Sequence, residues 1–406
     1  MKTNKQKIVI IGGGYGGLKT ALDLAAAGEF NITIISEVAD FRYYSSLYRT
    51  ATGGSRDLSS VMLDEVIGDK HIKLIHAKAT ALDRAQKHIK TDDGQEVPYD
   101  YLVLSLGVVT NYFHIEGLPE FAFGIKTLED AEELKIHLHQ KIIDGGKPDL
   151  NYVVVGGGPT GIELAGALGD YVRYICDKHD LPRRTIHVDL VEAAPRLVPR
   201  MPAPLARRIA RQLRSKGVKL YFKAAVQGQT ADELLVNGKP IRSHTVIWTA
   251  GMSNNPFFSE NGFQLTRNGK VRVDQYLQAE PSIFVIGDNA DTPYSGMAQT
   301  AIYDGVYMAR SLEAIITQQS NPKPYVAKQP IYVMPAGPNW AAVQWGSVRL
   351  YGRIGWIMRR AADFVGYRDY EPFFKATKHW FAEFDRQDLC AHCQPDDSLS
   401  AKNVAF

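Results

Sequence analysis

The sequence predicts an α/β protein with two Rossmann-like units followed by a C-terminal amphipathic helical region. The first observation is a glycine-rich turn between an apolar, β-branched run and an Ala/Leu-rich stretch, and the second is the return of this pattern near residue 156. The third is the helical spacing of apolar residues after residue 353. At 406 residues, the chain is long enough for two or three domains.

Composition and charge indicate an ordinary globular protein, with 45% hydrophobic and 22% charged residues. The net charge of +3 is too small to indicate nucleic-acid binding. Three scattered cysteines, Cys176, Cys390 and Cys393, form no disulfide framework and favour a reducing compartment. The N-terminus leads directly into a strand without a secretory pattern, and no apolar run reaches membrane-spanning length, so we expect any membrane contact to be peripheral.

The first unit begins with KIVIIGGGYGGLKTALDLAAAG, starting at Lys7. Gly12, Gly14 and Gly17 have the G-x-G-x-x-G spacing, which permits a tight turn and lets backbone N–H groups and a helix N-terminus approach a pyrophosphate. The next strand, NITIIS, leads to Glu37, whose carboxylate could accept the ribose hydroxyls of an adenosine. A glycine-rich turn can also occur by chance, but strand, helix and acid together favour a dinucleotide site.

The second unit, NYVVVGGGPTGIELAGALGDY, repeats the pattern with Gly156, Gly158 and Gly161. Its second strand ends at Glu192, farther along the chain than the usual ~20 residues, which predicts a long helix and a polar connection. A carboxylate there repels the 2′-phosphate of NADPH and favours NADH. Arg196 offers the alternatives of a 2′-phosphate ligand or a solvated loop residue. Two dinucleotide sites in one chain indicate a bound flavin and a diffusible nicotinamide.

Five motifs in order resemble the two-dinucleotide-domain flavoproteins related to glutathione reductase over roughly residues 7–312. They are GGGYGG, YDYLVLSLGVVTN, GGGPTGIELAGAL, TVIWTAGMSNNP and IFVIGDNA. The resemblance implies FAD at the first site and NAD(P)H at the second. It also implies that Gly287 and Asp288 close the flavin site, and that the chain crosses between domains at the stretches ending in Gly107 and Gly251.

A domain map follows from this resemblance. We expect a discontinuous FAD-binding domain at 1–115 and 250–322, with an NADH-binding domain inserted at 116–249. The Pro-rich stretch NPKPYVAKQP then marks the start of a membrane-association or dimerisation region at 323–406.

The stretch FRYYSSLYRTATGG, at 41–54, contains no cysteine, although disulfide reductases carry their redox-active thiols at about this place. Cys176 reads as a structural residue on a helix. The CAHC string at 390–393 could belong to an unstructured tail, to a thiol redox site or to half of a metal site. Among thiol-free members, the chain most resembles the type II NADH:quinone oxidoreductases, to about residue 390, through this stretch, VEAAPRLVPRMP and MAQTAIYDG.

This closer resemblance implies hydride transfer from NADH to flavin N5, then two-electron reduction of a membrane quinone without proton pumping. Arg42 would contact the isoalloxazine ring. Glu163, expected in the first turn of the second glycine-rich unit's helix, either complements the helix dipole or reaches the nicotinamide and flavin. The family's A-Q-x-A-x-Q on the quinone side is matched by Ala298 and Gln299, whereas Tyr303 replaces its second glutamine.

Two apolar stripes follow helical spacing near the C-terminus. The first comprises Ile354, Ile357, Met358, Ala361, Phe364 and Val365, and the second comprises Tyr370, Phe373, Phe374, Trp380, Phe381 and Phe384. Charged residues, including Arg353, Arg359, Arg360 and Asp363, lie elsewhere on the first helical wheel. The pattern alone leaves open packing on the flavin domain, a homodimer contact or a membrane surface.

The resemblance favours the membrane, which places the protein peripherally on an anionic surface at the cytoplasmic face of the cell membrane. Two other functions remain open from the sequence. One is a soluble NADH-dependent reductase of a ferredoxin-like protein, and the other is an NADH-sensing flavoprotein that signals through partner binding.

Overall fold

The computed structural model describes residues 5–28, 30–182, 186–318 and 321–382. The strands, numbered in chain order, are β1 Lys7–Ile11, β2 Asn31–Ser36, β3 Asp40–Arg42, β4 Ser60–Met62, β5 Ile72–His76, β6 Ala79–Asp83, β7 His88–Thr91, β8 Glu96–Pro98, β9 Tyr101–Leu104, β10 Val108–Thr110, β11 Tyr152–Val155, β12 Val188–Glu192, β13 Val218–Phe222, β14 Val226–Gln229, β15 Glu233–Val236, β16 Lys239–Arg242, β17 Thr245–Trp248, β18 Met252–Asn254, β19 Gln278–Glu280, β20 Ile283–Val285, β21 Tyr332–Pro335, β22 Ala341–Trp345 and β23 Val348–Gly352. The helices are α1 Tyr15–Ala27, α2 Leu47–Ala51, α3 Leu63–Ile67, α4 Leu118–Phe121, α5 Leu128–Gly145, α6 Pro159–Lys178, α7 Ala203–Ser215, α8 Phe257–Glu260, α9 Ala298–Thr317, α10 Arg353–Arg368 and α11 Phe373–Ala382.

The chain forms two compact units. The first unit comprises Met1–Arg42, Ser60–Thr110 and Met252–Pro330, and the second comprises Tyr43–Ser59, Asn111–Gly251 and Ile331–Phe406. Most of the 41–54 stretch and the C-terminal helices therefore group with the second glycine-rich turn. The three-domain map of the sequence stays a prediction, because packing alone does not assign cofactors.

The first unit is built on a six-stranded sheet with the order β19-β20-β9-β1-β2-β5. β1 pairs in parallel with both β2 and β9, and β20 continues the parallel run beside β9. The four central strands β1, β2, β9 and β20 are almost wholly buried apolar runs, as expected for strands covered on both faces of a sheet. Helices α1 and α9 approach so closely that a Cβ on Gly305 would lie 2.6 Å from the carbonyl oxygen of Gly16.

The second unit contains a four-stranded parallel sheet with the order β13-β12-β11-β17. α6 covers this sheet and is 20 residues long, which confirms the long helix predicted for this unit. The three-stranded antiparallel sheet β21-β22-β23 leads into α10 and α11. The two sheets, in which most strand pairs are parallel, and the C-terminal helices confirm the predicted fold class.

Helix α10 confirms the predicted C-terminal helix, but three of its five charged residues face the interior. Arg359, Arg360 and Asp363 are at most 8% exposed, whereas Ile354 and Ile357 are 60% and 61% exposed. Val365 on α10 and Phe373, Phe374 and Phe381 on α11 are exposed as well. Phe384 of the second predicted stripe lies outside the described residues. In the part of the chain that the structure describes, we find no helix with the length and hydropathy needed to cross a membrane.

Candidate functional site

The first glycine-rich turn has the shape required to receive a pyrophosphate. Gly12 has φ +106°, and a Cβ there would lie 2.2 Å from the Ser105 carbonyl oxygen. A Cβ on Gly17 would lie 2.1 Å from the Gly12 oxygen, whereas one on Gly14 would meet open space. No side chain among the described residues caps the α1 N-terminus. Its first N–H groups are therefore available to an anion, as a bound dinucleotide requires.

A cavity of about 330 Å³ lies beyond the end of β2. Its lining consists of Glu37, His76, Ala77, Lys78, Asp92 and Asp93. Glu37 follows the last residue of β2, and its exposed carboxylate lies 3.7 Å from Lys78 Nζ. The assignment of this exposed carboxylate to a ribose stays a prediction.

The turn after β20 is held by a buried carboxylate that the sequence did not single out. Gly287 has φ +68°, and its N–H donates to Asp304 Oδ2 over 2.9 Å. The Tyr325 hydroxyl donates to the other Asp304 oxygen over 2.5 Å. Burial raises the pKa of Asp304 to about 6, against the lowering effect of these two hydrogen bonds. The predicted flavin-site residue Asp288 is half-buried beside this arrangement.

An amide pair fixes one of the two predicted crossing stretches. Asn289 is fully buried, and its side chain accepts from Gly107 N over 2.9 Å and donates to Gly107 O over 2.6 Å. It also donates to Asn254 Oδ1. In the second unit, the other crossing residue, Gly251, has φ +67°, and a Cβ there would lie 2.1 Å from Asn111 O. Both predicted crossing glycines therefore occupy positions where backbone geometry is tightly constrained.

The predicted acceptor-side residues lie at the start of α9. Ala298 is its first residue, and Gln299 and Tyr303 are half-buried in the first two turns. Lys328 Nζ lies 5.2 Å from the centre of the Tyr303 ring, within the range of a cation–π contact. The sequence-predicted residues are thus on one short stretch of helix, and their contact with a quinone stays a prediction.

Arg42 ends β3, and its Nε lies 3.2 Å from both carboxylate oxygens of Asp40. Asp40 also accepts a 2.7 Å hydrogen bond from Ser60 on the paired strand β4. This ion pair orients the guanidinium, and the predicted contact with the isoalloxazine ring remains untested.

The second glycine-rich turn repeats the shape of the first. Gly156 has φ +118°, and a Cβ on Gly161 would lie 1.9 Å from the Gly156 carbonyl oxygen. Gly158 precedes Pro159, the first residue of α6, and a Cβ on Gly158 would meet open space. Within the described ranges, no side chain caps this helix either. The turn therefore offers a second anion-binding N-terminus.

Glu192 is already bound to the turn that it was predicted to serve. Its Oε2 accepts from Gly157 N over 2.5 Å, and its Oε1 accepts from Ala194 N over 2.6 Å. These bonds orient the carboxylate beside the glycine-rich turn. Arg196 donates to backbone carbonyls of its own loop, including Met201 O at 2.8 Å. It therefore braces the loop, and the choice between a 2′-phosphate ligand and a solvated loop residue is left open by these bonds.

Glu163 is the fifth residue of α6, since the helix begins at Pro159, so its predicted place in the first turn is wrong. Its side chain is 8% exposed and accepts from Arg359 Nη1 over 2.8 Å. Arg359 Nε in turn lies 2.8 Å from Asp363 Oδ1. Burial raises the pKa of Glu163, and the opposing charge of Arg359 lowers it. An ion pair, rather than the helix dipole, accompanies this buried carboxylate.

The ion network extends into the 43–59 segment. Arg359 Nη2 donates to Ser45 O over 2.7 Å, and Arg49 Nη2 donates to Asp363 Oδ2 over 3.1 Å. The half-buried Arg49 and the buried charges Glu163, Arg359 and Asp363 thus join α2, α6 and α10. Sequence reasoning missed this network, although the arginines at helical spacing on an otherwise apolar helix were its one visible signal.

Comparisons with known proteins agree with this geometry. Residues 6–305 match the family described as pyridine nucleotide-disulphide oxidoreductase. A type II NADH:quinone oxidoreductase of Staphylococcus haemolyticus is 28% identical over 346 residues, which cover 79% of this chain and 85% of the relative.

Two solved structures share the fold at low sequence identity. The NDH2 of Plasmodium falciparum in complex with NADH has a TM-score of 0.82 at 17% identity, covering 94% of this chain and 98% of that one. The sulfide:quinone oxidoreductase of Aquifex aeolicus has a TM-score of 0.77 at 20% identity, covering 96% of this chain and 98% of that one. With two glycine-rich turns of this geometry and a match over residues 6–305, the chain belongs to the pyridine nucleotide-disulphide oxidoreductase family.

Proposed function

We propose that this protein is an FAD-dependent NADH:quinone oxidoreductase. The observation that carries the proposal is that one chain has two glycine-rich turns whose backbone geometry can receive a pyrophosphate. The 41–54 stretch of the same chain has no cysteine. The absence of thiols there removes the disulfide route that the family name describes. The name of the S. haemolyticus relative supplies the quinone as acceptor.

Each turn is assigned to one dinucleotide. FAD is held by Gly12, Gly14, Gly17, Glu37, Gly287 and Asp288, with Arg42 as a further contact. NADH is held by Gly156, Gly158, Gly161 and Glu192. Bound FAD supplies a ring that accepts hydride from NADH and passes two electrons to a quinone. The chain itself binds both dinucleotides and orients their reacting ends.

Glu163 is the residue that we assign to orienting the nicotinamide. Its carboxylate is held in place by Arg359, so it can act as a fixed acceptor for a hydrogen bond from the carboxamide. On the acceptor side we assign Gln299 and Tyr303, whereas Ala298, like Gly107 and Gly251, is assigned to cofactor binding. A Gln299 amide or a Tyr303 phenol can donate to a quinone carbonyl.

The exposed apolar side of α10 and α11 suits a membrane surface. The five basic residues Arg349, Arg353, Arg368, Lys375 and Lys378 are exposed around it. The acidic residues of the same stretch, Asp363 and Glu371, are buried, and Asp369 is half-buried. A basic rim around large exposed aliphatic and aromatic side chains supports binding to an anionic bilayer, and peripheral attachment at the cytoplasmic face of the cell membrane is part of the proposal. A homodimer contact through the same side chains is the competing use of this surface.

Stopped-flow reoxidation tests the acceptor. NADH-reduced protein mixed with a short-chain quinone should reoxidise with a rate that rises with quinone concentration and far exceeds reoxidation by dissolved oxygen. Equal rates would exclude the quinone. Rapid reoxidation by a ferredoxin-like protein alone would favour the soluble reductase, and slow reoxidation by every acceptor would favour the NADH sensor.

Liposome flotation tests the surface. Ile357→Glu combined with Phe374→Glu should abolish binding to anionic vesicles, because each adds a charge to the apolar side. Ile136→Glu is the matched control, since Ile136 is 47% exposed on α5. Unchanged binding of the double variant, or a monomer–dimer shift without any vesicle binding, would contradict the membrane proposal.

A further inference from the structure

Asp304 is a buried carboxylate with two hydrogen-bond donors of different origin. Asp304 lies on α9 and is 1% exposed. One oxygen accepts from the backbone N–H of Gly287, and the other accepts from the Tyr325 hydroxyl. Gly287 immediately precedes Asp288, so the carboxylate holds the turn that carries this predicted flavin-site residue.

The surroundings of Asp304 connect this turn to the first glycine-rich turn. Gly305, its neighbour, allows the α9 backbone to approach Gly16 near the start of α1. Tyr325 is fixed independently, because its N–H donates to Gln275 O over 2.7 Å. The Asp304 side chain therefore joins the Gly287 turn to the anchored segment around Tyr325, and the helix that carries it packs against α1 through Gly305.

A carboxylate at this buried position is costly, so its partners must compensate. An apolar residue of similar size would avoid the cost of a buried charge, but it would leave the N–H of Gly287 without an acceptor. Asp288 adds a repulsive charge, and Lys270 adds an attractive one. The residue is thus suited to holding the turn rather than to filling space.

We propose that Asp304 is a positioning residue of the flavin site, which sets Asp288 against the α1 cradle through Gly287 and is itself held by Tyr325. The inference rests on the proposed assignment of Asp288 and α1 to FAD. It predicts that FAD affinity depends on a side chain that does not touch FAD, and that an acceptor of the same shape can replace it.

The test is titration of FAD-depleted protein with FAD, followed by flavin fluorescence and by visible circular dichroism of the bound flavin. Asp304→Leu should raise the FAD Kd at least about tenfold, since the Gly287 N–H loses its acceptor in a buried site. Asp304→Asn keeps an acceptor and should retain most of the affinity and the dichroism of the original protein. Tyr325→Phe removes only the second donor and should give an intermediate Kd.

Tyr307→Phe is the matched control, because the Tyr307 hydroxyl donates to Lys323 O in the same segment without contacting Asp304. Its Kd should equal that of the original protein. Unchanged FAD affinity and dichroism in both Asp304→Leu and Tyr325→Phe would overturn the positioning role. Tyr325→Phe carries the test alone if the leucine variant does not fold. Unchanged FAD affinity in Asp288→Ala would instead overturn the flavin assignment on which the inference rests.

Discussion

Helices α1 and α6 follow glycine-rich turns of the same shape, but the protein supports them in different ways. α1 is held by close backbone packing, where Gly305 of α9 lies against Gly16. α6 carries a buried charge, Glu163, which is paired with Arg359 of α10. The packing of α1 leaves no room for side-chain atoms at Gly305, whereas the packing of α6 requires charged side chains. The same binding motif should therefore be sensitive to added volume in the first unit and to lost charge in the second.

The two carboxylates at the strand ends, Glu37 and Glu192, also differ in how they are held. Glu37 is exposed and lies 3.7 Å from Lys78. Glu192 accepts two backbone hydrogen bonds, from Gly157 and Ala194. The second carboxylate is oriented before any ligand arrives, which suits a site for a nicotinamide dinucleotide that must bind and leave in each turnover.

The largest effect is expected from Arg359→Met. This variant leaves Glu163 and Asp363 buried without their main partner, which typically destabilises a protein by about 3–5 kcal/mol. Urea unfolding followed by circular dichroism measures the loss. The variant Arg359→Met/Glu163→Gln also removes the opposing charge of Glu163 and leaves Asp363 paired with Arg49, so it should recover part of the stability. Equal stability of the single and double variants would show that the network's charges do not carry the support of α6.

Gly305→Ala should destabilise the first unit by about 1–3 kcal/mol, because the new methyl group must displace the α1 backbone. The thermal midpoint and FAD content should both fall. Gly366→Ala in α10 is the control, since a Cβ there meets open space, and alanine should stabilise the helix by about 0.5–1 kcal/mol. A normal midpoint in Gly305→Ala would mean that α1 and α9 separate easily and that close packing is not the support of α1.

These two supports differ in how far the sequence could predict them. The glycine spacing and the acids at the strand ends are local patterns, so both turns were predicted correctly. The pairing of Glu163 with Arg359 joins residues 196 positions apart, and no local pattern specifies it. The apolar periodicity of α10 predicted a helix, but not that Arg359 and Asp363 would face inward, because hydrophobic spacing alone does not reveal which partner a buried charge will find.

Glu192→Ala tests the difference between the two carboxylates. It should raise the NADH KM about tenfold or more while leaving kcat nearly unchanged, because the lost contact serves binding. Glu37→Ala should change the FAD Kd less, since the Glu37 carboxylate is exposed and its ion pair with Lys78 is screened by water. A larger effect at Glu37 than at Glu192 would reverse the comparison and show that preorganisation does not govern either site.

The last effect concerns pH, and it has opposite signs in the two units. Burial raises the pKa of Asp304 to about 6 from an ordinary value near 3.8, so the folded first unit binds more protons than the unfolded chain between these values. Its contribution to stability therefore falls as pH rises from about 4 to 6. Burial lowers the pKa of His137 in the second unit to about 4 from 6.5, with Lys141 adding to the effect. That contribution falls as pH drops from about 6.5 to 4.

The two neutral variants should separate these contributions in thermal midpoints measured with saturating FAD. The thermal midpoint of Asp304→Asn should rise relative to that of the original protein as pH increases from 4 to 6. Above pH 6 this difference should stay constant. The thermal midpoint of His137→Gln should rise relative to that of the original protein as pH falls from 6.5 to 4, because glutamine has no proton to bind. Since many exposed groups titrate in the same range, only the difference from the original protein at each pH is informative. If the thermal midpoints of the two variants changed with pH at the same rate, neither buried group would titrate as its surroundings require. The two units would then respond to acid in the same way.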